Sequence, residues 1–313
     1  MSDPLDVTVV IPTRDRWALL SETLEAVLRQ QGVSFDVVVV DDGSADETRA
    51  KVAGLGDGRV RVVRHERSLG VARARNAGIA AARGEWIAFL DDDDLWSPHK
   101  LRRQLDAASP SSVFAYAAVA VLDESGRVAR YAPAPDPRTL RRRLLERPMI
   151  PAGGSNVVAR TAVVHELGGF DENLAQLADW DLWIRLAGAG TAAACPDVLV
   201  GYRKHATNML LTDPRDVLQE FAYLVRKHDA PAREHGVRFS DAAMARWVAV
   251  GYRRAGRRRR AAALYLSAAR DERRPADLAR AGAALAGSWT MRIGRRSASP
   301  PPAWLKPYLE ARR

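Results

Sequence analysis

Four times in its first ninety residues the chain sets down an apolar run of strand length, and amphipathic or polar stretches separate the runs. They are "VTVVI" (7–11, closed by Pro12), "FDVVVVDDGS", "RVRVVRH" and "EWIAFL". Between the first two, residues 18–30 place Leu20, Leu24, Val27 and Leu28 at helical spacing. Residues 71–83 read as another helix, and Ser44 with Glu47 has the spacing of a capping box that opens one more. The run Val37–Val40 is too apolar for a sheet with one wet face. Strands buried on both sides and linked by helices imply βαβ units around a parallel sheet. Ligands of such sheets gather at the carboxyl ends of the strands. Asp41 and Asp42 fall there, and so do Asp91, Asp92, Asp93 and Asp94.

The second group poses an electrostatic problem. Four consecutive carboxylates at a strand exit repel one another, and an unpaired one near a core is costly to desolvate. One acid is enough to cap the helix starting near Pro98, so four call for a cation. Hard divalent ions such as Mg²⁺ and Mn²⁺ prefer carboxylate and phosphate oxygens. Two common phosphate sites are absent: no G-x-x-x-x-G-K-[ST] loop occurs, and "IPTRDRW" after the first strand lacks G-x-G-x-x-G.

Composition narrows the class. With 313 residues, 47% hydrophobic and 27% charged, the chain reads as soluble and globular, large enough for one big core or two smaller ones. No apolar stretch approaches the length of a membrane helix. The opening "MSDPLDVTVV" lacks a basic segment followed by an apolar one, so no signal peptide is expected. Cys195 is the sole cysteine, which fits a cytoplasmic chain without disulfides. The net charge is +10, yet only five of the 48 basic residues are lysines, and the densest blocks come late, "RRR" (141–143) and "RRAGRRRR" (253–260). No aromatic-interleaved basic motif supports nucleic-acid binding. A solvated basic face, or a patch for a membrane surface or acidic protein, remains.

Further along, "VFAYAAVAVLD" (113–123) is a strand, "YAPAPDPRT" a Pro-rich loop, and "GGSNVVAR" the start of a strand. "LADWDLWIRLAG" reads as a helix and "DVLVGYRKH" as a last strand. From about 213 strands stop and helices joined by Gly or Pro breaks follow, so the expected division is 1–212 and a helical region, 213–313. The tail "SASPPPAWLKP" is expected to be a docking strap or loosely ordered.

The segments "VTVVIPTRDR", "VVVVDDGSADET", "GVARARNAGIAAARGEWIAFLDDDD", "LGGFDE" and "ADWDLWIRL" stand in the order, and at about the spacing, found in family 2 glycosyltransferases. The chain resembles that family over residues 5 to about 210. The resemblance implies a GT-A fold: α/β, a Rossmann-like, mostly parallel sheet flanked by helices, here with a C-terminal helical region appended. It also implies an inverting, metal-dependent transfer from a UDP-sugar to an acceptor hydroxyl, with Mn²⁺ or Mg²⁺. Two other readings stay open: a non-catalytic nucleotide-sugar-binding module, and a nucleotidyltransferase on a similar sheet.

By the same resemblance, Pro12, Thr13 and Arg14 lie along the uridine, Arg14 and Asp15 standing where the family often has Tyr-Asn. Asp42 accepts the uracil imide N–H and Asp41 is its less specific neighbour. Arg75 lies on the "ARN-x-G" helix that approaches the nucleotide. Asp91, or Asp92 in its stead, meets the ribose, while Asp93 ligates the metal with Asp91, and His205 joins the metal or diphosphate. Gly154, in "GGSN", lines the donor-sugar or acceptor pocket. Asp179 is the base, although Ala178 replaces the glutamate that usually precedes it. Trp180, Trp183 and Asp181 are expected to be structural. The acceptor is open among cell-surface glycans, natural-product aglycones and carrier-bound intermediates, and so is the oligomeric state, a homodimer included.

Overall fold

The computed structural model describes residues 5–204, 214–286 and 300–310. Two compact units divide the chain, the first made of 1–141, 149–204 and 300–313, the second of 142–148 and 205–299. The terminal segment therefore belongs with the first unit, whereas the sequence grouped it with the helical region.

The first unit is built on β1 (Val7–Thr13), β2 (Phe35–Asp41), β3 (Val60–Arg64), β4 (Trp86–Phe89), β5 (Leu95–Trp96), β6 (Ser112–Leu122), β7 (Val128–Ala132), β8 (Val158–Arg160) and β9 (Thr191–Arg203). Among the described residues these nine form one sheet in the order β3-β2-β1-β4-β8-β6-β9-β5, with β7 on β6. The half from β3 to β4 is wholly parallel. Beyond it, β8 runs antiparallel to β4 and β6, while β9 is parallel to β6. The order reverses direction at β1, which puts a crevice at its carboxyl end.

β1 and β2 are buried along their whole length, as their unbroken apolar runs require. β1 continues through Pro12 to Thr13, past the expected stop. The Leu90 N–H donates to the Val10 carbonyl, so alternate residues of β1 face β4, and β4 has ended by the level of Pro12. The missing N–H of Pro12 therefore costs no ladder bond. The covering helices are α1 (Trp17–Leu28), α2 (Thr48–Ala53), α3 (Val71–Ala80), α4 (Lys100–Ala107), α5 (Pro137–Leu144), α6 (Thr161–Glu166) and α7 (Ala178–Ala189). Leu20, Leu24 and Val27 of α1 enter the core as their spacing predicts. The capping box does not form: α2 starts only at Thr48, and the Ser44 hydroxyl accepts from the Asp15 N–H instead.

In the second unit α8 (Pro214–Lys227), α9 (Asp229–Glu234), α10 (Asp241–Arg254), α11 (Arg258–Glu272) and α12 (Pro275–Ala286) follow one another, and α11 packs on α10 and α12. Alanines 242, 245 and 268 make the seam, letting the backbones approach closely. Arg246 ties the three together through Glu272 and the fully buried Asp277. The last described segment behaves as a strap on the first unit. Leu305, ahead of α13 (Lys306–Glu310), is fully buried with Leu95, Ala120 and Leu122, and the Trp304 indole N–H donates to the Val198 carbonyl. Among the described residues no helix is long and apolar enough to cross a membrane.

Candidate active site at the carboxyl end of the sheet

The four acids after β4 do not converge on one point; only Asp92 and Asp93 share a partner. Asp91 Oδ1 accepts from Arg75 Nη2 at 2.5 Å. Asp92 accepts from the Thr13 hydroxyl at 2.7 Å and faces Arg16 Nη1 at 3.3 Å. Asp93 meets the same Arg16 nitrogen at 3.4 Å. Asp94 turns into the core and accepts from the Arg203 N–H at 2.9 Å. Proton uptake relieves the crowding further. Burial, reinforced by Asp93 and Asp91, pushes Asp94 far above the usual carboxylate range, which favours its neutral form. Burial, with Asp93 adding to it, pushes Asp92 up to about 7. Arginines and protons thus provide much of the neutralisation that the sequence assigned to a metal alone.

This arrangement has a consequence for stability. The unfolded chain releases the Asp92 proton near pH 3.9, while the fold retains it to about 7. Between those values the folded state binds more protons, so this group lowers stability as pH rises through the window. An Asp92→Asn chain should therefore gain on the parent as pH rises from 5 to 8, its melting-temperature advantage widening by several degrees. Thermal melts of both chains at the two pH values check this; a gap that does not widen contradicts it.

Arg75, on α3, is the hub of the cluster. It is 6% exposed, and burial works against its charge, but Asp91, Asp179 and Asp93 together outweigh that cost. Its guanidinium stacks on Phe170 at 5.1 Å. Asn76 clasps Phe170 by donating to its carbonyl and accepting its N–H. The "ARN" and "LGGFDE" segments are therefore two halves of one support. Arg73 turns outward to Glu172.

Asp179 sits in the first turn of α7, half-buried, with Oδ1 accepting the Trp180 N–H at 2.7 Å. Burial raises its pKa, and Arg75 pulls against that rise. Opposite lies the 3₁₀ turn Gly153–Asn156. Gly153 has φ +44°, and a Cβ there would lie 2.2 Å from Asp179 Oδ2. A Cβ on Gly154 would lie 2.9 Å from Arg75 Nη2 and 3.5 Å from Asp91 Oδ1. Only glycines let the turn approach both. Side chains from below pin it: the Ser155 hydroxyl accepts the Asp91 N–H, and the Trp96 indole donates to the Ser155 carbonyl. Gln104 donates to the Asn156 carbonyl.

The other predicted residues line the same strand ends. Pro12 and Thr13 are buried, whereas Arg14 is exposed beside Asp15. Asp15, at φ 52°, accepts the Ala45 N–H, which locks the loop after β1 to the loop after β2. Asp41 accepts the Ser44 N–H and faces Arg64. Asp42 accepts from His65 Nδ1, the Ser68 hydroxyl and the N–H groups of Leu69 and Gly70. Burial raises its pKa, but these bonds prevail and hold it below the usual range. Gly43 permits the close crossing, since a Cβ would fall 2.6 Å from the backbone of Arg67–Ser68. Trp180 and Trp183 are core residues, and the buried Asp181 pairs with Arg185. His205 lies outside the described residues. Sequence reasoning missed Arg16, His65 and Ser155; Arg16 stands three residues after Thr13, but nothing local tells which acids it meets.

Do these residues fit a divalent ion? Asp91 and Asp93 supply hard carboxylate oxygens, both already drawn to guanidinium groups. No three His, Cys, Asp or Glu side chains among the described residues are grouped so as to cage a metal unaided. Mg²⁺ and Mn²⁺ commonly take one or two carboxylates and complete their shell with substrate phosphates and water. The set fits an ion bound jointly with a diphosphate.

Comparison with known proteins adds to this geometry. A family model described as "Glycosyl transferase family 2" matches residues 8–168. The succinoglycan biosynthesis protein ExoO of Rhizobium meliloti (strain 1021) is 48% identical over 103 residues, 33% of this chain and 30% of that protein. The Escherichia coli UDP-Glc:alpha-D-GlcNAc-diphosphoundecaprenol beta-1,3-glucosyltransferase WfgD is 31% identical over 126 residues, 40% of this chain and 50% of that protein. The chain thus spans between about a third and a half of the length of these curated relatives. Among solved structures, S. aureus TarS 1-349 in complex with UDP-GlcNAc aligns with TM-score 0.59 at 18% identity, covering 80% of this chain and 72% of that one. Mannosyltransferase PcManGT from Pyrobaculum calidifontis, in complex with GDP-Man and Mn²⁺, aligns with TM-score 0.58 at 22% identity, covering 99% and 86%. At these identities the structural likeness speaks to the fold.

Proposed function

The chain belongs to glycosyl transferase family 2, and from that premise we propose that it transfers a sugar from a UDP-sugar to a sugar hydroxyl of a growing glycan, by single displacement with inversion. The observation that carries this reading is the meeting of Asp179, Arg75 and Asp91 around the Gly153–Gly154 turn, which brings a base and a metal-binding acid to one crevice. The glycan acceptor draws support from the names of the two curated relatives, one a polysaccharide biosynthesis protein and one a glucosyltransferase acting on a lipid-linked sugar.

In this reading Asp179 takes the proton from the acceptor hydroxyl. Burial raises its pKa and makes it the stronger base, while Arg75 and its place at a helix N-terminus favour the ionised form. Asp93 and Asp91 would hold Mn²⁺ or Mg²⁺. When bound, the ion acts as a Lewis acid toward the negative charge growing on the departing diphosphate. Thr13, Arg16 and Arg75 keep the acids aimed into the crevice. Pro12, Thr13, Arg14, Asp41 and Asp42 form the nucleotide edge, Asp92 stands at the ribose, and Gly154 leaves room for the sugar. The exposed arginines 257–260 at the head of α11 give the second unit a face for an anionic membrane or acidic partner.

The test is a donor screen by nucleotide release, using UDP-glucose, UDP-GlcNAc, UDP-galactose and GDP-mannose with Mn²⁺ and lipid-linked or soluble sugar acceptors. A UDP-sugar should turn over with metal and stop with chelator. Metal-dependent binding without turnover on any acceptor would instead mark a binding module.

A further inference from the structure

We infer that Arg16 guards the metal-binding acids: it holds Asp92 and Asp93 as a built-in counter-cation and so makes divalent-ion binding depend on an incoming diphosphate. This rests on the reading of the crevice as a nucleotide-sugar site and names the side chain that couples its two ligands.

The two acids that would hold the ion each face a guanidinium, but on unequal terms. Arg75 Nη2 lies 2.5 Å from Asp91 Oδ1, and the Arg75 side chain is 7% exposed. Arg16 Nη1 spans Asp92 Oδ1 at 3.3 Å and Asp93 Oδ2 at 3.4 Å, and the Arg16 side chain is 29% exposed. One nitrogen shared between two carboxylates at such distances makes a weaker and better-hydrated contact than the one Arg75 makes. Arg16 is therefore the displaceable cation and Arg75 the fixed one.

The backbone beneath Arg16 is held whatever its side chain does. Its carbonyl accepts the N–H groups of Leu19 and Leu20 as α1 opens. The preceding Asp15 is clamped twice, its N–H donating to the Ser44 hydroxyl and its carboxylate accepting the Ala45 N–H. Only the side chain has to turn for the acids to be released. A lone divalent ion arriving here meets both guanidinium groups, and like charges a few ångströms apart repel even where water screens them in part. A diphosphate reverses the balance. It offers the ion further hard oxygens and gives Arg16 another anion to pair with. The coupling is reciprocal, so what the diphosphate adds to ion binding, the ion adds to diphosphate binding.

Mn²⁺ titrations of the full chain test this, followed by calorimetry with and without UDP and corrected for the Mn²⁺–UDP complex formed in solution. UDP should tighten Mn²⁺ binding to the parent at least about tenfold, the scale of coupling between close charges. Arg16→Gln should bind Mn²⁺ alone about tenfold more tightly than the parent does, and UDP should then add less than about threefold. Arg16→Lys keeps a cation at the position and should stay near the parent. Adding Asp93→Asn to Arg16→Gln should remove the gain, which assigns the ion to that acid. Damage to the fold weakens metal binding, so a gain in affinity cannot come from damage. Arg16→Gln that binds Mn²⁺ no better than the parent, or a parent whose Mn²⁺ affinity UDP leaves unchanged, overturns the inference, while UDP binding keeps the nucleotide-sugar reading standing. If the parent binds neither UDP nor Mn²⁺, that reading falls and this inference with it.

Discussion

An Asp179→Asn chain should lose about 10³-fold in turnover while its donor dissociation constant changes less than about threefold. The amide keeps the size of the carboxylate and clears the Gly153 turn, but it cannot accept a proton. In the proposed reading the donor lies along the strand ends while Asp179 approaches from α7, so the loss should fall on kcat. Burial also dictates a pH signature. The pKa of Asp179 lies above the usual carboxylate value even though Arg75 opposes the rise. Since the ionised form is the active one, kcat/KM should decline as pH drops through a value above about 4. Steady-state rates of both chains from pH 4 to 9 decide the matter. A variant with more than about a tenth of the parental turnover, or a parental rate flat down to pH 4, removes Asp179 from the role.

Arg75→Met should be the most destabilising single substitution in the site, at about 3–5 kcal/mol. The guanidinium is buried and balances Asp91, with Asp93 and Asp179 within its field. Its removal leaves those carboxyls with less compensation in a place water reaches poorly. The stacked contact with Phe170 is lost as well, and methionine restores part of that packing but none of the charge. Millimolar Mn²⁺ should recover more stability in Arg75→Met than it adds to the parent, because a second cation then answers the same acids. Urea melts with and without Mn²⁺ read both effects. An unchanged midpoint, or an equal response to the ion, would show that Arg75 is not the counter-charge of the cluster.

Much of the crevice was legible in the residue order. The Val37–Val40 run, the spacing of Leu20, Leu24 and Val27, and the place of Asp42 and Asp91–Asp94 after apolar strands follow from burial and local sterics. Those forces act over a few residues, and the chain displays them directly. The capping box failed because a distant backbone group competed for its hydroxyl. The Ser44 hydroxyl found a backbone partner at Asp15, 29 residues away, before α2 began. Arg16 was passed over because its significance depends on Asp92 and Asp93, separated from it by 76 and 77 positions. His65 was passed over because a histidine after a strand looks like polar surface until Asp42 is seen beside it.

Taken alone, then, the sequence determined the parallel βαβ half of the sheet, the helices after residue 213, and the end of the sheet at which acids collect, since periodicity and turn chemistry are properties of neighbouring residues. Only the tertiary structure decided how each acid is satisfied: Asp91 by Arg75, Asp92 and Asp93 by Arg16, Asp94 by a backbone N–H within the core. Charge compensation depends on distance through space and on exclusion of water, and chain order specifies neither.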